Sequence, residues 1–108
     1  MTTENSKFSG LKSIEKLRGQ MTFGRLLLSF RLSQNLSQLQ LGKKVGLSKA
    51  NICDLEKGRS MPTIARAKKI AKALCEIEAY WVEVAIQDML KRERLNYTVK
   101  IEENKTAS

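Results

Sequence analysis

The stretch SQLQLGKKVGLSKANICDLEKG, residues 37–58, constrains the fold more than any other part of the chain. It opens on Ser37, carries Gly46 near its middle and closes on Gly58. A serine side chain accepts from the free N–H groups of a helix's first turn, and glycine adopts the left-handed backbone that ends a helix. Ser37 therefore starts a helix with Leu41, Gly42 and Val45 turned inward, and Gly46 stops it with Leu47 packed beneath the turn. Ser48 caps a second helix over 49–56, with Ile52 and Leu55 inward and Gly58 at its end. Two helices of about two turns each, joined by almost no loop, make a helix-turn-helix. Gly42 costs its helix roughly 1 kcal/mol relative to alanine. That cost predicts close approach of a neighbouring helix backbone.

The flanking segments also read as helices. Thr22 caps a helix whose Phe23, Leu26, Leu27 and Phe30 form one apolar stripe, ended by Gln34 and Asn35. Pro62 suits the first position of another helix, where its missing N–H is not needed, with Ile64, Ala67, Ile70, Ala71 and Leu74 on one face. A further helix over 77–93 carries Trp81, Val82, Ala85, Ile86, Met89 and Leu90. Four short helices already close a small core, so this broad stripe is expected to cover something more. Leu11, Ile14 and Leu17 predict a short helix within 11–21, stopped by Gly19; residues 1–10 and 102–108 read as disordered tails. Leu95, Tyr97, Val99 and Ile101 alternate with polar residues, which is either a strand or a frayed tail. A strand needs a partner for its ladder groups. With no second strand evident, the same segment of another subunit is the simplest partner.

Composition narrows the function. The 108 residues, 42% hydrophobic, support one domain with one core and no large cavity. No apolar run approaches the roughly 18 residues of a membrane span, and no signal-peptide core is present, so a cytoplasmic protein without membrane attachment is expected. The chain has no histidine, which removes imidazole bases and His-containing metal sites and triads. Cys53 and Cys75 have no metal-ligand spacing and fall in apolar patterns, as buried inert thiols would. There is no glycine-rich phosphate loop. Neither an enzyme, a cofactor nor a small-molecule ligand is indicated. Charge is more informative: residues 22–75 hold eleven Lys/Arg against only Asp54 and Glu56, so the whole net charge of +9 sits in the middle half. Such segregation is what a polyanion-binding face requires.

From Phe23 to Leu74 the chain resembles the Cro/cI-type, or XRE, helix-turn-helix family. The resemblance lies in LSQ at 36–38, LGKKVGLS at 41–48, Ile52, LEKG at 55–58, Pro62 and IAKAL at 70–74. It implies an all-α, lambda-repressor-like helix-turn-helix bundle of about five helices, with the domain over 22–75 and residues 77–101 like the extension of small bacterial regulators of the family; the helix and possible short strand of 76–101 are the expected dimerisation element. It also implies that the second helix of the pair enters the major groove by its N-terminal end, exposing Lys49, Ala50, Asn51 and Asp54 to base edges. Lys49 suits guanine or a phosphate, Asn51 adenine, and Ala50 a thymine methyl. Asp54 either accepts from cytosine or repels phosphate. Cys53 takes a position that is polar in many relatives, hence partly exposed. Phosphate contacts carry over to Ser37 and Gln38, to Lys57 and Arg59, and to Lys43 and Lys44. Arg31 and Glu56 occupy positions that pair in several family members, leaving Arg31 either structural or phosphate-directed. Trp81, Ile86, Met89, Leu90, Tyr97, Val99 and Ile101 are the expected dimerisation residues.

These expectations converge on a sequence-specific double-stranded DNA-binding regulator, a repressor acting as a homodimer on an inverted repeat in the bacterial nucleoid. The alternative is an antitoxin that binds a small toxin and represses its own operon. An RNA-binding adaptor needs exposed aromatics, and aromatics are only 6% of the chain.

Overall fold

The computed structural model describes residues 21–102 and 104. The helix expected within 11–21 and the tail at 1–10 lie outside the described residues, as does most of the tail after 102. Five helices follow in order: α1 Phe23–Ser33, α2 Gln38–Val45, α3 Lys49–Glu56, α4 Ile64–Ala73 and α5 Glu78–Arg92. Side chains at their starts explain four of the boundaries. Thr22, Ser37, Ser48 and Thr63 each accept from the backbone N–H three residues on, at 3.0 to 3.1 Å. Ser37 adds a full capping box, since its own N–H donates to Gln40 Oε1 at 2.8 Å. Pro62 is not the first helical residue; it is buried one position ahead of the Thr63 cap. Ile64, expected inward, is 49% exposed.

All five helices share one core, in which Phe23, Leu27, Leu41, Ile52, Ala67, Ile70, Ala71, Trp81 and Ala85 are almost wholly buried. Trp81 is at its centre, edge-on to Phe23 and Phe30 with ring centroids 5.8 and 6.1 Å away. Its indole N–H donates to Glu76 Oε1 at 3.4 Å. This corrects two expectations. Trp81 has no exposed surface and cannot serve a dimer interface. Nor do the first four helices close the core: Trp81, Val84 and Ala85 of α5 complete it, packing on α4 and α1. The inward face of α5 is also rotated from the expected stripe, because Val84 and Asp88 are buried whereas Val82, Ile86, Met89 and Leu90 are half-buried.

Close backbone approaches set the helix angles. A Cβ on Gly24 would overlap the Leu55 carbonyl oxygen and lie 2.8 Å from that of Glu56, so α1 meets the end of α3 backbone to backbone. Gly42 does permit a close approach, but of the turn rather than a neighbouring helix: its Cβ would overlap the Leu47 carbonyl. Gly46, at φ 75°, makes that turn. Cys75, expected to be buried, is exposed and left-handed at φ 57°, closing α4 with a bond from the Glu76 N–H to the Ala71 carbonyl at 2.8 Å. Cys53 is half-buried.

Residues 95–101 form no strand among the described residues. They run along α5, where side chains take their ladder groups. Gln87 donates to the Tyr97 carbonyl at 2.7 Å and accepts from the Val99 N–H at 2.9 Å, and Glu83 accepts from the Ile101 N–H at 2.9 Å. The period-two pattern is thus that of an extended segment with Val99 and Ile101 half-buried and Leu95 and Tyr97 exposed. A side-chain amide supplies the donor and acceptor that a neighbouring strand would have offered.

Candidate nucleic-acid interface

The site is built around α3, which is held at one end and open at the other. At its C-terminal end, Glu56 has a side chain only 4% exposed. It accepts from Arg31 Nε at 2.6 Å, from Arg31 Nη2 at 3.1 Å and from Gln38 Nε2 at 2.9 Å. Arg31 Nη1 donates to the Leu36 carbonyl at 3.0 Å. One carboxylate therefore ties α3 to α1 and to the start of α2. Its hydrogen bonds to Arg31, with the Coulomb attraction of the pair, hold the guanidinium pKa above its ordinary value against the opposing effect of burial. Arg31, considered for phosphate contact, has three of its N–H groups committed inside the protein and belongs to the scaffold. The Gln38 side chain is committed in the same way, whereas its backbone N–H, in the first turn of α2, has no hydrogen-bond partner among the described residues.

At the other end, Lys49, Ala50 and Asn51 are exposed on the first turn of α3, while Ile52 and Leu55 are buried. The Asn51 backbone N–H is capped by Ser48, so its side-chain amide is not needed for the helix start. Asp54 lies one turn later on the same face. It is partly occupied: Arg59 Nη1 is 3.5 Å from its carboxylate, and its carbonyl accepts from the Arg59 N–H at 2.9 Å. Both side chains remain well exposed, 63% for Arg59 and 44% for Asp54, so this pair contributes little and is free to exchange. Both acids of the cationic segment are thereby matched within the protein. No ion pair with a described acid engages Lys43, Lys44, Lys49, Lys57 or Arg66.

The Gln38–Glu56 bond draws the two sets of predicted phosphate residues together. Ser37 and Gln38 begin α2 beside the point where α3 gives way to exposed Lys57 and Arg59. That point is roughly 10 Å along the α3 axis from Lys49, a span comparable with the width of a DNA major groove. Lys43 and Lys44 are exposed in the last turn of α2, where their charge also complements the helix dipole.

Two features escaped the sequence. Arg66 joins Asn51 at a depression of about 240 Å³ between α3 and the start of α4, lined also by Leu47, Ser60 and Thr63. Its fifteen-residue distance from Asn51 gave no local signal. The second is the hold of α5 on the exit from α3, where Arg92 Nη2 donates to the Gly58 carbonyl at 2.9 Å.

Comparison with known proteins finds a match over the same helices. Residues 27–74 match the helix-turn-helix family, the span that contains α2, the glycine turn and α3. The matched span is a little under half of the chain. Over 85 residues the chain is 29% identical to the immunity repressor protein of Bacillus phage phi105, an alignment that covers 78% of this chain and 57% of that relative. The chain thus spans little more than half the length of the relative it matches. No solved structure matches. Among the described residues, no helix is long and apolar enough to cross a membrane, and no group of His, Cys, Asp and Glu is placed to hold a metal ion.

Proposed function

We propose that this chain is a sequence-specific transcriptional regulator that binds an inverted-repeat operator as a homodimer and represses by occupying a promoter. The observation that carries this reading is the asymmetry of α3. Its C-terminal end is clamped by Arg31, Glu56 and Gln38, and its N-terminal turn presents Lys49, Ala50 and Asn51 to solvent. A helix held that way inserts its first turn into the major groove. There Lys49 donates to guanine O6/N7, Asn51 pairs with adenine, and Ala50 meets a thymine methyl. Asp54, next to Arg59, disfavours registers that bring phosphate close. Ser37, the Gln38 N–H, Lys43, Lys44, Lys57 and Arg59 grip the flanking phosphates. The second copy is taken on the α5 and tail face, through Ile86, Met89, Leu90, Tyr97, Val99 and Ile101, and the two half-sites are expected one helical turn, ~34 Å, apart as for other helix-turn-helix dimers. The phage relative's name, immunity repressor, supports repression as the outcome.

Selection of bound duplexes from a random pool supplies the operator on which to test this. With Lys57→Gln and Arg59→Gln together, affinity is expected to fall by about tenfold or more for operator and random duplex alike. Four phosphate contacts are lost per dimer, so the slope of log affinity against log salt becomes shallower by about 3 to 4. Unchanged affinity and slope in fluorescence anisotropy would refute the docking face.

A further inference from the structure

A chain of polar contacts runs from the C-terminal helix into the DNA-facing loop. Asp88, only 3% exposed, accepts the N–H of Phe23 at 3.1 Å through Oδ2, and so caps α1 from 65 residues away. Its other oxygen, Oδ1, is 3.6 Å from Arg92 Nε, one helical turn further along α5. The Arg92 guanidinium then reaches across 34 residues to donate to the Gly58 carbonyl. Gly58, left-handed at φ 75°, separates Lys57 from Arg59. A Cβ there would lie 3.2 Å from Nη2, so a side chain at this position would push the guanidinium aside by a few tenths of an ångström. Arg92 thus meets a carboxylate with one edge and a carbonyl with another. Lysine's single ammonium does not reproduce that planar fork.

We propose that Arg92 is a positioning residue for the phosphate contacts of the Lys57–Arg59 loop. It touches no DNA itself. It fixes the peptide between the two cations against α5, so that a turn otherwise bonded only back to α3 is also held from a second helix. The loop's own backbone N–H groups, from Lys57 to Ser60, all return to the last turn of α3, at Cys53, Leu55 and Asp54, so Arg92 supplies its hydrogen bond to a second element among the described residues. The C-terminal helix lies outside the span that matches the helix-turn-helix family, yet it holds the loop that the domain uses. Whatever seats or shifts α5, including a second copy of the chain, therefore alters the grip on phosphate. This inference rests on the docking face proposed above.

The test is a double-mutant cycle on operator binding, using the full chain. Arg92→Gln is expected to weaken binding about tenfold in the native loop, and less than about twofold in a Lys57→Gln/Arg59→Gln background, because its effect passes through those side chains. Arg92→Lys, which keeps a charge beside buried Asp88, is expected to give the same pattern and serves if the glutamine variant does not fold. Sedimentation is expected to show unchanged dimer mass for both. Equal losses in the two backgrounds would overturn the inference, since they would indicate direct contact or general destabilisation. If the Lys57/Arg59 pair alone has no effect on binding, the docking face fails first, and that result is separately visible.

Discussion

Gly24→Val is expected to lower the unfolding free energy by at least ~3 kcal/mol, read from urea titration followed by helical circular dichroism. A Cβ at this position overlaps the Leu55 carbonyl oxygen and crowds that of Glu56. Both belong to backbone at the end of α3, so no side-chain rotation relieves the overlap. The helices must separate, and the edge-on packing of Phe23 on Trp81 is lost with them. Gly24→Ala is expected to fall between valine and the native chain, with part of its strain offset by the roughly 1 kcal/mol of helix propensity that alanine regains. A domain of this size has about 5–15 kcal/mol in total, so a loss of ~3 kcal/mol removes roughly a fifth to three-fifths of it. A loss below ~1 kcal/mol for valine would show that α1 and α3 are not in backbone contact.

Glu56→Ala has a comparable effect for a different reason. The carboxylate answers Arg31 twice and Gln38 once, and the Arg31 side chain is 15% exposed. Removing it leaves a largely buried guanidinium with only the Leu36 carbonyl as partner. Breaking one side of a buried pair costs about 3–5 kcal/mol, whereas replacing both sides with apolar residues is often nearly neutral. Arg31→Met combined with Glu56→Leu should therefore recover most of the stability lost by Glu56→Ala in the same urea experiment. Glu56→Gln, which keeps an acceptor oxygen, should cost less than alanine. Strictly additive losses for Arg31→Met and Glu56→Leu would mean that the two residues act independently.

What the sequence disclosed follows from the range of the interactions involved. Ser37, Gly46 and Ser48 act on backbone groups within a few residues, so α2, the turn and α3 were legible, as was the outward first turn of α3. Gly24 acts on Leu55, thirty-one residues away, and Asp88 on Phe23, sixty-five away; neither pairing leaves a mark in periodicity. Trp81 was misassigned because the α5 stripe is broad, and a broad stripe does not reveal which edge faces the core. In the tail the alternation is real, but its partner is Gln87, a side chain, and no strand periodicity accompanies a single amide. The exposure of the candidate interface was readable where residue type and helix position coincide, at Lys49, Ala50 and Asn51. It was not readable where the fold gathers distant groups, as at Arg66 and Arg92.

The central claim is that the first turn of α3 lies in the major groove, and dimethyl sulfate protection on a selected operator tests it most directly. The reagent methylates guanine N7 in the major groove and adenine N3 in the minor groove. Protection of guanine N7 within each half-site, weakened by Lys49→Ala while adenine N3 stays reactive, is the predicted result. Protection confined to adenine N3, or N7 protection indifferent to Lys49, would contradict it.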